Sequence, residues 1–354
     1  MTLHEWEDEF SGFHLFYLRN MTSLYRTIDS VASLESDMSE TFMEMFMLTC
    51  TLLTVAVGII GILGNSINLW IYAWIYDRNS INTLLSGLAV YDWCTCFFGT
   101  LHFMFIAIVK CNGSYWASYG SLLTTVYLRP LAFWAQMSSV WTLVAITVER
   151  YIAVGFPLRA RTMLRVSRAR IALITIGVSV FAFNFVRFFE LTIQQSNGII
   201  SLERTIYLST NYDVFYAFWA FTLLYIMIPF IILAGLVSMI IFAINQTPRI
   251  RRQLMCSKDT PDRSKEYRLR TEQKISLMLL IVVAVFMVCC TPMAVTSFGR
   301  AFGLPHMRYA SGVGNLLVLV NSAANFFVYI TFSKKYRTTV KKGVRKTWLA
   351  LWKA

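Results

Sequence analysis

Seven long apolar runs divide this chain, and they constrain its fold more than any other feature. They cover residues 45–75, 83–109, 119–149, 170–189, 214–244, 275–298 and 309–332. A helix needs about 20 apolar residues to cross a bilayer, and each run is long enough to do so. Only 14% of the residues are charged, whereas a soluble globular chain carries about 25%. The sequence therefore predicts an all-α membrane protein, a bundle of seven transmembrane helices.

Lysine and arginine are distributed unevenly among the connections between these runs. Most follow the first, third, fifth and seventh runs, and few lie in the N-terminal segment or in the other connections. Basic loops stay in the cytoplasm, so we expect a multi-pass protein of the plasma membrane with an extracellular N-terminus. The net charge of +13 follows from this asymmetry and gives no reason to expect nucleic acid as a partner.

Three regions follow from the positions of the runs. Residues 1–44 are polar and acidic, as in a flexible extracellular tail, residues 45–332 hold the bundle, and residues 333–354 form a cytoplasmic tail. Two glycosylation sequons, at Asn20 and Asn112, fall on the predicted outside. Both asparagines are therefore predicted glycosylation sites.

The cytoplasmic tail has an amphipathic pattern. Tyr336, Val340 and Val344 recur at helical spacing on one face, and basic side chains surround them. Basic amphipathic helices of this kind lie along the inner leaflet of a membrane. The sequence predicts a short amphipathic eighth helix, and a disordered basic tail is the alternative.

The third run ends in an acidic and a basic residue, Glu149-Arg150, followed by Tyr151. An arginine at the end of an apolar helix is costly unless it has a partner or reaches an interface. The adjacent Glu149 and the distant Glu272 are the candidate partners. Alternatively, Arg150 extends along the helix end to the lipid headgroups.

A single acid, Asp92, lies near the middle of the second run. Ionisable groups at this depth indicate a functional site with a partner. Neutral polar side chains that could surround Asp92 lie on the other runs, at Asn65, Ser139, Asn321, Ser322 and Asn325. A hydrated sodium ion suits such oxygen-rich surroundings, and the alternative is a neutral aspartic acid that hydrogen-bonds to neighbouring helices.

No set of residues with catalytic chemistry is recognisable. The four histidines, at positions 4, 14, 102 and 306, do not cluster, and no pair of cysteines has metal-ligand spacing. We therefore expect neither an enzyme nor a metal centre, and no cofactor apart from the sodium ion.

Five motifs make the chain resemble a rhodopsin-like G-protein-coupled receptor over nearly all of its membrane portion. In chain order they are Gly64-Asn65, Leu88-Ala-x-x-Asp92, Glu149-Arg150-Tyr151, Phe286-x-x-Cys289-x-x-Pro292 and Asn325-x-x-x-Tyr329. More narrowly, the chain is similar to the invertebrate FMRFamide-type neuropeptide receptors. The stretches that carry this closer resemblance are 149–161, Arg187-Phe-Phe-Glu190, 321–329 and Lys335-Tyr-Arg337.

The resemblance implies a receptor that binds an extracellular peptide, activates a heterotrimeric G protein and recruits arrestin. In this family an acid at the base of the sixth helix, here Glu272, holds Arg150 until that helix swings outward. The residues to which the resemblance gives parts in activation and coupling are Val140, Glu149, Arg150, Tyr151, Pro229, Glu272, Phe286, Cys290, Pro292, Asn325 and Tyr329.

The resemblance also implies an outer pocket for an amidated, RFamide-like peptide. By helix position its lining residues are His102, Arg129, Phe133, Gln136, Glu190, Asp213, Tyr216, Trp219, Met293, Ser297 and Asn315. Such a peptide needs an acid for its arginine and aromatic rings for its phenylalanine. The acids available for the arginine are Glu190, Glu203 and Asp213.

The chain departs from the wider family at several positions. Thr125 replaces the cysteine that usually bridges the third helix to the second outer loop, and residues 187–213 contain no cysteine. Cys290 replaces the tryptophan that senses ligand, and Val237 replaces a tyrosine of the active state. We expect a divergent receptor with raised or altered basal activity.

Two other functions remain open at this point. A chemosensory or orphan receptor for a small molecule would share every motif above. A membrane transporter is the alternative from another class, although the sequence shows no internal repeat and only one acid in mid-membrane.

Overall fold

The structure is a computed structural model, and it describes residues 40–196, 199–205, 212–255, 263–302, 304 and 307–351. Within these residues, seven helices are long and apolar enough to cross a membrane. They are α1 (Glu40–Ile75), α2 (Ser80–Asn112), α3 (Tyr115–Gly155), α4 (Val166–Phe189), α5 (Tyr212–Met255), α6 (Arg263–Ala301) and α7 (Met307–Phe332). Each contains one of the seven apolar runs, so the predicted seven-helix bundle is confirmed.

Two shorter helices follow membrane helices. A seven-residue helix, Pro157–Met163, follows α3, and α8 (Lys334–Leu351) follows α7. Tyr336 and Val340, on the predicted apolar face of α8, pack against the core of the bundle. The side chain of Val344 lies outside those described.

The chain divides into two compact units, Met1–Thr49 and Cys50–Ala354, and the contacts described below lie within the second. Nearly all of the predicted acidic tail, including Asn20, lies outside the described residues. The helix α1 is already present at Glu40, the first described residue, ahead of the predicted start of the bundle at residue 45.

A β-hairpin connects α4 to α5. Strand β1 (Leu191–Ser196) pairs antiparallel with β2 (Ile199–Arg204), and the Thr205 amide donates to the Glu190 carbonyl at 3.2 Å. Strand β2 also contacts α3. Backbone pairing therefore orders this connection, in a chain that lacks the cysteines of the usual bridge.

Apolar side chains lie on the outer surface of the bundle as well as between its helices. Tyr225 and Phe286 are buried between helices, whereas Ile231 and Val288, on the same two helices, are 70% and 72% exposed. In a bilayer such exposed side chains meet lipid tails, which are as apolar as leucine. Because apolar side chains lie on both faces of the helices, apolar character alone does not determine which face turns inward. The polar and aromatic contacts in the interior therefore specify the fold.

A tight turn joins α2 to α3. Gly113 ends α2 with a left-handed backbone (φ 57°), a conformation that glycine adopts without steric cost. Ser114 then caps α3, since its hydroxyl oxygen accepts a hydrogen bond from the Ala117 amide at 3.2 Å. The predicted glycosylation site Asn112 is exposed at this turn.

Irregular turns and prolines interrupt three of the helices. Residues Thr124–Leu128 of α3 and Leu223–Met227 of α5 are π-helical, Pro229 follows the second segment, and Pro292 lies inside α6. Proline removes a backbone donor, and π turns are frequent at functional sites. The regular hydrogen-bond ladder is therefore broken in α3, α5 and α6, which carry several of the site residues described below.

One tyrosine fixes α8 to the bundle. Tyr336 is fully buried, and its hydroxyl donates to Asn68 Oδ1 on α1 at 2.6 Å. Asn68 donates to Asn65 Oδ1 at 3.1 Å, and Asn65 donates to the Ser322 carbonyl on α7 at 2.9 Å. Burial raises the pKa of Tyr336 above its ordinary value, so the phenol remains a donor at neutral pH.

Replacing Tyr336 with phenylalanine removes the hydroxyl and leaves the buried Asn68 oxygen without this donor. We expect the free energy of unfolding to fall by about 1 to 3 kcal/mol, the usual cost of an unsatisfied buried polar group. Thermal unfolding of the purified protein measures the loss. Thr338→Ala is the control, because its hydroxyl donates to the Lys334 carbonyl within the exposed part of α8. Equal unfolding midpoints for Tyr336→Phe and the wild type would contradict the assigned contact.

Candidate functional site

A buried carboxylate lies at the centre of the bundle, where α2, α3 and α7 meet. Asp92 is fully buried, Ser139 donates to one of its oxygens at 2.7 Å, and Asn325 donates to the other at 2.6 Å. The Ser322 side chain also interacts with the Asp92 carboxylate, and the Ser322 carbonyl accepts a hydrogen bond from Asn65. The structure thus joins five of the six predicted polar-core residues.

The sixth residue, Asn321, is half-buried. In the described part of the chain no hydrogen bond joins it to Asp92. Tyr329 is buried beside this core, and its hydroxyl has no partner among the described residues. Carboxylate and hydroxyl oxygens are the ligands that hard cations prefer, so the chemistry of this core suits a sodium ion.

At one end of the bundle, Arg150 and Glu149 form a buried ion pair. The Arg150 Nη2 atom lies 3.3 Å from Glu149 Oε1, and Ser80 at the start of α2 donates to Glu149 Oε2 at 2.7 Å. Their side chains are 4% and 6% exposed, so Arg150 is paired inside the protein and does not extend outward. The side chain of the other candidate partner, Glu272, lies outside those described. We refer to this region as the Arg150 end.

Three apolar residues that the resemblance links to activation are buried in the bundle. Val140 and Phe286 are buried in one core cluster, and Pro229 is also buried. The Phe230 and Phe286 rings meet edge to face at 5.4 Å. This arrangement is consistent with ordinary core packing. It is equally consistent with the parts in activation that the resemblance gives to Val140, Pro229 and Phe286.

A tyrosine of α5 connects α3 to α6 at the level of Cys290. Tyr225 is fully buried. Its hydroxyl accepts a hydrogen bond from Gln136 Nε2 and interacts with the Cys290 thiol. Its ring stacks on Phe221 with the centroids 5.1 Å apart. One hydroxyl therefore links three helices at the position where the wider family has its tryptophan.

At the end that carries the hairpin, the hairpin end, two arginines share one carboxylate. Arg187 Nη1 lies 3.4 Å from Glu190 Oε1, and Arg129 Nη2 lies 3.6 Å from Glu190 Oε2. The side chains of Arg187 and Glu190 are 7% and 12% exposed, whereas that of Arg129 is 38% exposed. Each oxygen of the Glu190 carboxylate thus already has a cationic partner.

Aromatic rings surround the buried guanidinium. The Arg187 Cζ atom lies 4.5 Å from the Phe221 ring centroid, 4.9 Å from that of Phe133 and 5.6 Å from that of Tyr216. Ring faces attract cations at these distances. We call this group the Arg187 cluster, and its members are Arg129, Phe133, Arg187, Glu190, Tyr216 and Phe221.

The remaining residues predicted for the ligand pocket lie on four helices. Buried members are His102, whose Nδ1 lies 3.2 Å from Thr124 Oγ1, and Met293. Ser297 and Asn315 are half-buried, and Trp219 is 44% exposed. The side chain of Asp213 lies outside those described. The predicted residues that the structure brings together are Arg129, Phe133, Glu190 and Tyr216.

Sequence reasoning missed three residues of this region. Arg187, Phe221 and Tyr225 were not predicted to take part, although they connect the pocket to α6. A signal was present, because residues three or four apart on a helix share a face. Arg187 and Glu190 have the first spacing, and Phe221 and Tyr225 have the second.

This fold and these motifs define a seven-helix receptor. The chain belongs to the rhodopsin family of seven-transmembrane receptors, since the model of that family matches residues 64–329. It is accordingly a multi-pass membrane protein and a G-protein-coupled receptor, not an enzyme. The predicted receptor class is confirmed, and this assignment sets the transporter aside.

Individual relatives narrow the resemblance. The chain is 31% identical over 297 residues to an FMRFamide receptor of Drosophila melanogaster. The aligned region covers 81% of this chain and 52% of the relative. It is 30% identical over 313 residues to the FMRFamide peptide receptor frpr-18 of Caenorhabditis elegans, covering 83% and 68%. An adenosine receptor A2a of Cavia porcellus is 26% identical over 309 residues. This chain therefore spans about half the length of the Drosophila relative.

Proposed function

We propose that this receptor is activated by an amidated, RFamide-like neuropeptide at the hairpin end and activates a heterotrimeric G protein at the Arg150 end. The similarity to two FMRFamide receptors, over 81% and 83% of this chain, carries the proposal. Basic loops adjoin the Arg150 end, so that end is assigned to the cytoplasm and the N-terminus to the outside of the plasma membrane.

The Arg187 cluster supports a peptide ligand at the hairpin end. It combines charged groups with three aromatic rings, and a peptide with adjacent arginine, phenylalanine and terminal amide offers matching chemistry. A small aromatic molecule could use the same cluster. The relatives favour the peptide, because both are named for one.

Activation in this proposal frees Arg150. A ligand shifts a two-state equilibrium toward the state that it binds better. In the resting state Glu149 holds Arg150. When α6 swings outward about Pro292, Arg150 turns from Glu149 toward the G protein.

The proposed link from the pocket to α6 runs through α5. Phe221 lies against the Arg187 guanidinium at 4.5 Å and stacks on Tyr225, whose hydroxyl interacts with the Cys290 thiol on α6. A displacement of Arg187 is therefore transmitted to α6 through one stacked pair and the contact between Tyr225 and Cys290. In this receptor Tyr225 performs the function of the missing tryptophan.

The Tyr225→Phe variant is expected to lower the maximal signalling response about tenfold without a comparable loss of peptide affinity. It removes the hydroxyl that contacts both Gln136 and Cys290. Polar contacts of this kind contribute about 1 kcal/mol each, and 1.4 kcal/mol corresponds to a factor of ten. Signalling and radioligand binding measure the two quantities separately. Tyr91→Phe is the matched control, because its hydroxyl donates to the Leu173 carbonyl on α4. Equal losses in both variants would argue against the link.

Two further partners belong to the proposal. A sodium ion beside Asp92 would stabilise the resting state by occupying the polar core. Arrestin recruitment is expected to be weak, because the cytoplasmic tail offers few hydroxyls for phosphorylation, at Ser333, Thr338, Thr339 and Thr347.

A panel of amidated peptides, tested by calcium and cAMP signalling in transfected cells, tests the proposed function. We expect a potent response to one group of RFamide peptides. Silence toward every peptide, together with basal signalling that requires Arg150, would leave a receptor for another ligand.

A further inference from the structure

We propose that Arg187 anchors the ligand, and that the Arg187 cluster recognises an oxygen acceptor beside an aromatic ring rather than a cationic side chain. The inference rests on the proposed function, because it specifies which end of the peptide enters the cluster. A terminal carboxamide and a carboxylate share the required chemistry.

Glu190 is already paired with two cations of the protein. Its two carboxylate oxygens contact Arg187 and Arg129, so a ligand cation at Glu190 would displace a protein cation and meet a second one nearby. Among the described side chains of the cluster, two guanidiniums face one carboxylate. Together, these described charges favour an acceptor oxygen over a cation.

The buried guanidinium of Arg187 has a donor that a ligand can use. Its guanidinium carries five N–H groups and no acceptor. One buried atom, Arg187 Nε, has no hydrogen-bond partner among the described residues. Buried polar groups are nearly always satisfied, and an acceptor oxygen from the ligand would satisfy this one.

The position of Arg129 provides the route to this donor. Its side chain is 38% exposed, and its guanidinium lies 5.7 Å from the Phe133 centroid. The same ring lies closer to the Arg187 guanidinium, at 4.9 Å. A ligand that passes Arg129 thus meets an exposed cation, then a ring, then the buried donor. This order suits an acceptor attached to an aromatic side chain, as at the amidated phenylalanine end of an RFamide peptide.

The peptide's own arginine must then bind elsewhere. Glu203 lies exposed on β2, where it is reachable from the hairpin end. We assign the ligand's aromatic amide to Arg187 and its arginine to the hairpin acid. This assignment reverses the orientation expected when Glu190 receives the peptide's arginine.

Three small probes distinguish these chemistries on the purified full-length receptor. N-acetylphenylalaninamide carries a neutral carboxamide, N-acetylphenylalanine carries a carboxylate, and 2-phenylethylamine carries a cation without an acceptor. We expect the wild type to bind at least one acceptor probe about tenfold more tightly than 2-phenylethylamine, as hydrogen bonds to charged groups allow. A preference for the carboxamide indicates an amidated ligand end, and a preference for the carboxylate indicates an acidic one.

Variants assign the discrimination to Arg187. Arg187→Gln should bring the affinity ratio between acceptor probe and 2-phenylethylamine close to one. Arg187→Lys keeps the charge but loses the buried Nε donor, and it should lower the ratio part of the way. Glu190→Gln removes a negative charge and should not lower the ratio. A purely structural role would weaken all three probes together and leave the ratio unchanged. Arg159→Gln is the matched control, since this guanidinium lies over the Phe156 ring beyond the Arg150 end of α3.

Several results would overturn the inference. They are tighter binding of 2-phenylethylamine that is lost in Glu190→Gln, an unchanged ratio in Arg187→Lys, or no binding of any probe to the wild type. If amidated peptides fail to signal while probe binding still depends on Arg187, the proposed function fails and the site stands. If peptides signal with the same potency in Arg187→Lys, the site fails and the function stands.

Discussion

The Arg150→Ala variant is expected to lose peptide-stimulated G-protein activation by about tenfold or more at matched surface expression. In the proposed mechanism, Arg150 is the cation that turns toward the G protein once α6 has moved. A hydrogen bond to a charged group contributes about 1.5–3 kcal/mol. Nucleotide exchange on the G protein measures the loss. Arg159→Ala is the control, because it removes an exposed positive charge next to the same end of α3. Equal activation by Arg150→Ala and the wild type would contradict the mechanism.

The buried ion pair makes this variant less stable as well as less active. Removing Arg150 leaves Glu149 buried without this cation, and breaking a buried pair in this way costs about 3–5 kcal/mol. The double variant Glu149→Gln, Arg150→Gln removes both charges and should recover much of that stability. It should remain inactive, which separates the signalling function of Arg150 from its contribution to folding.

Releasing Arg150 should have the opposite effect on basal signalling. Glu149→Gln removes the described carboxylate partner while retaining the arginine, so basal activity is expected to rise. The resemblance to the family predicts the same of Glu272→Gln. Comparing the two variants at equal surface expression shows which acid holds Arg150 in the resting receptor.

The Asp92→Ala variant is expected to show a large loss of stability. Ser139 and Asn325 would both lose their acceptor in the buried centre of the bundle. At about 1–3 kcal/mol for each unsatisfied group, the free energy of unfolding should fall by about 2–6 kcal/mol. Asp92→Asn keeps one acceptor oxygen and should lose less. Thermal unfolding of the purified protein measures both.

The same two variants test the proposed sodium site. The wild type should unfold at a higher temperature in sodium chloride than in choline chloride at equal ionic strength, because ligand binding stabilises the folded state. The difference should vanish in Asp92→Asn and persist in the control Asp77→Asn, an exposed acid. A wild type that is indifferent to sodium would favour the neutral hydrogen-bonded aspartic acid.

The helices were predictable because the bilayer imposes a strong and local constraint. A spanning segment must satisfy its backbone internally and be apolar, so each apolar run became a helix. The polar core was also predictable for most of its members, since a single buried acid needs partners and few polar residues were available. The β-hairpin was not foreseen, because its order arises from pairing between two segments that are not apolar runs.

The contacts of the pocket depend on helix rotation and packing, which apolar runs do not encode. From its chemistry alone, Glu190 was expected to bind a cation of the ligand. In the structure, the guanidinium groups of Arg187 and Arg129 already pair with its carboxylate. Tyr225 reaches Cys290 through the relative rotation of α5 and α6. The contact of Tyr336 with Asn68 likewise joins residues far apart in sequence.

The proposed outward movement of α6 on activation can be measured directly. The quantity is the distance between α6 and a fixed point at the Arg150 end, with and without peptide. Spin labels at Arg78→Cys and Leu277→Cys would report it, since both positions are exposed. Replacing the exposed Cys111 with serine limits background labelling. We expect a saturating concentration of activating peptide to lengthen this distance. An unchanged distance in a receptor that activates its G protein would contradict the opening of α6.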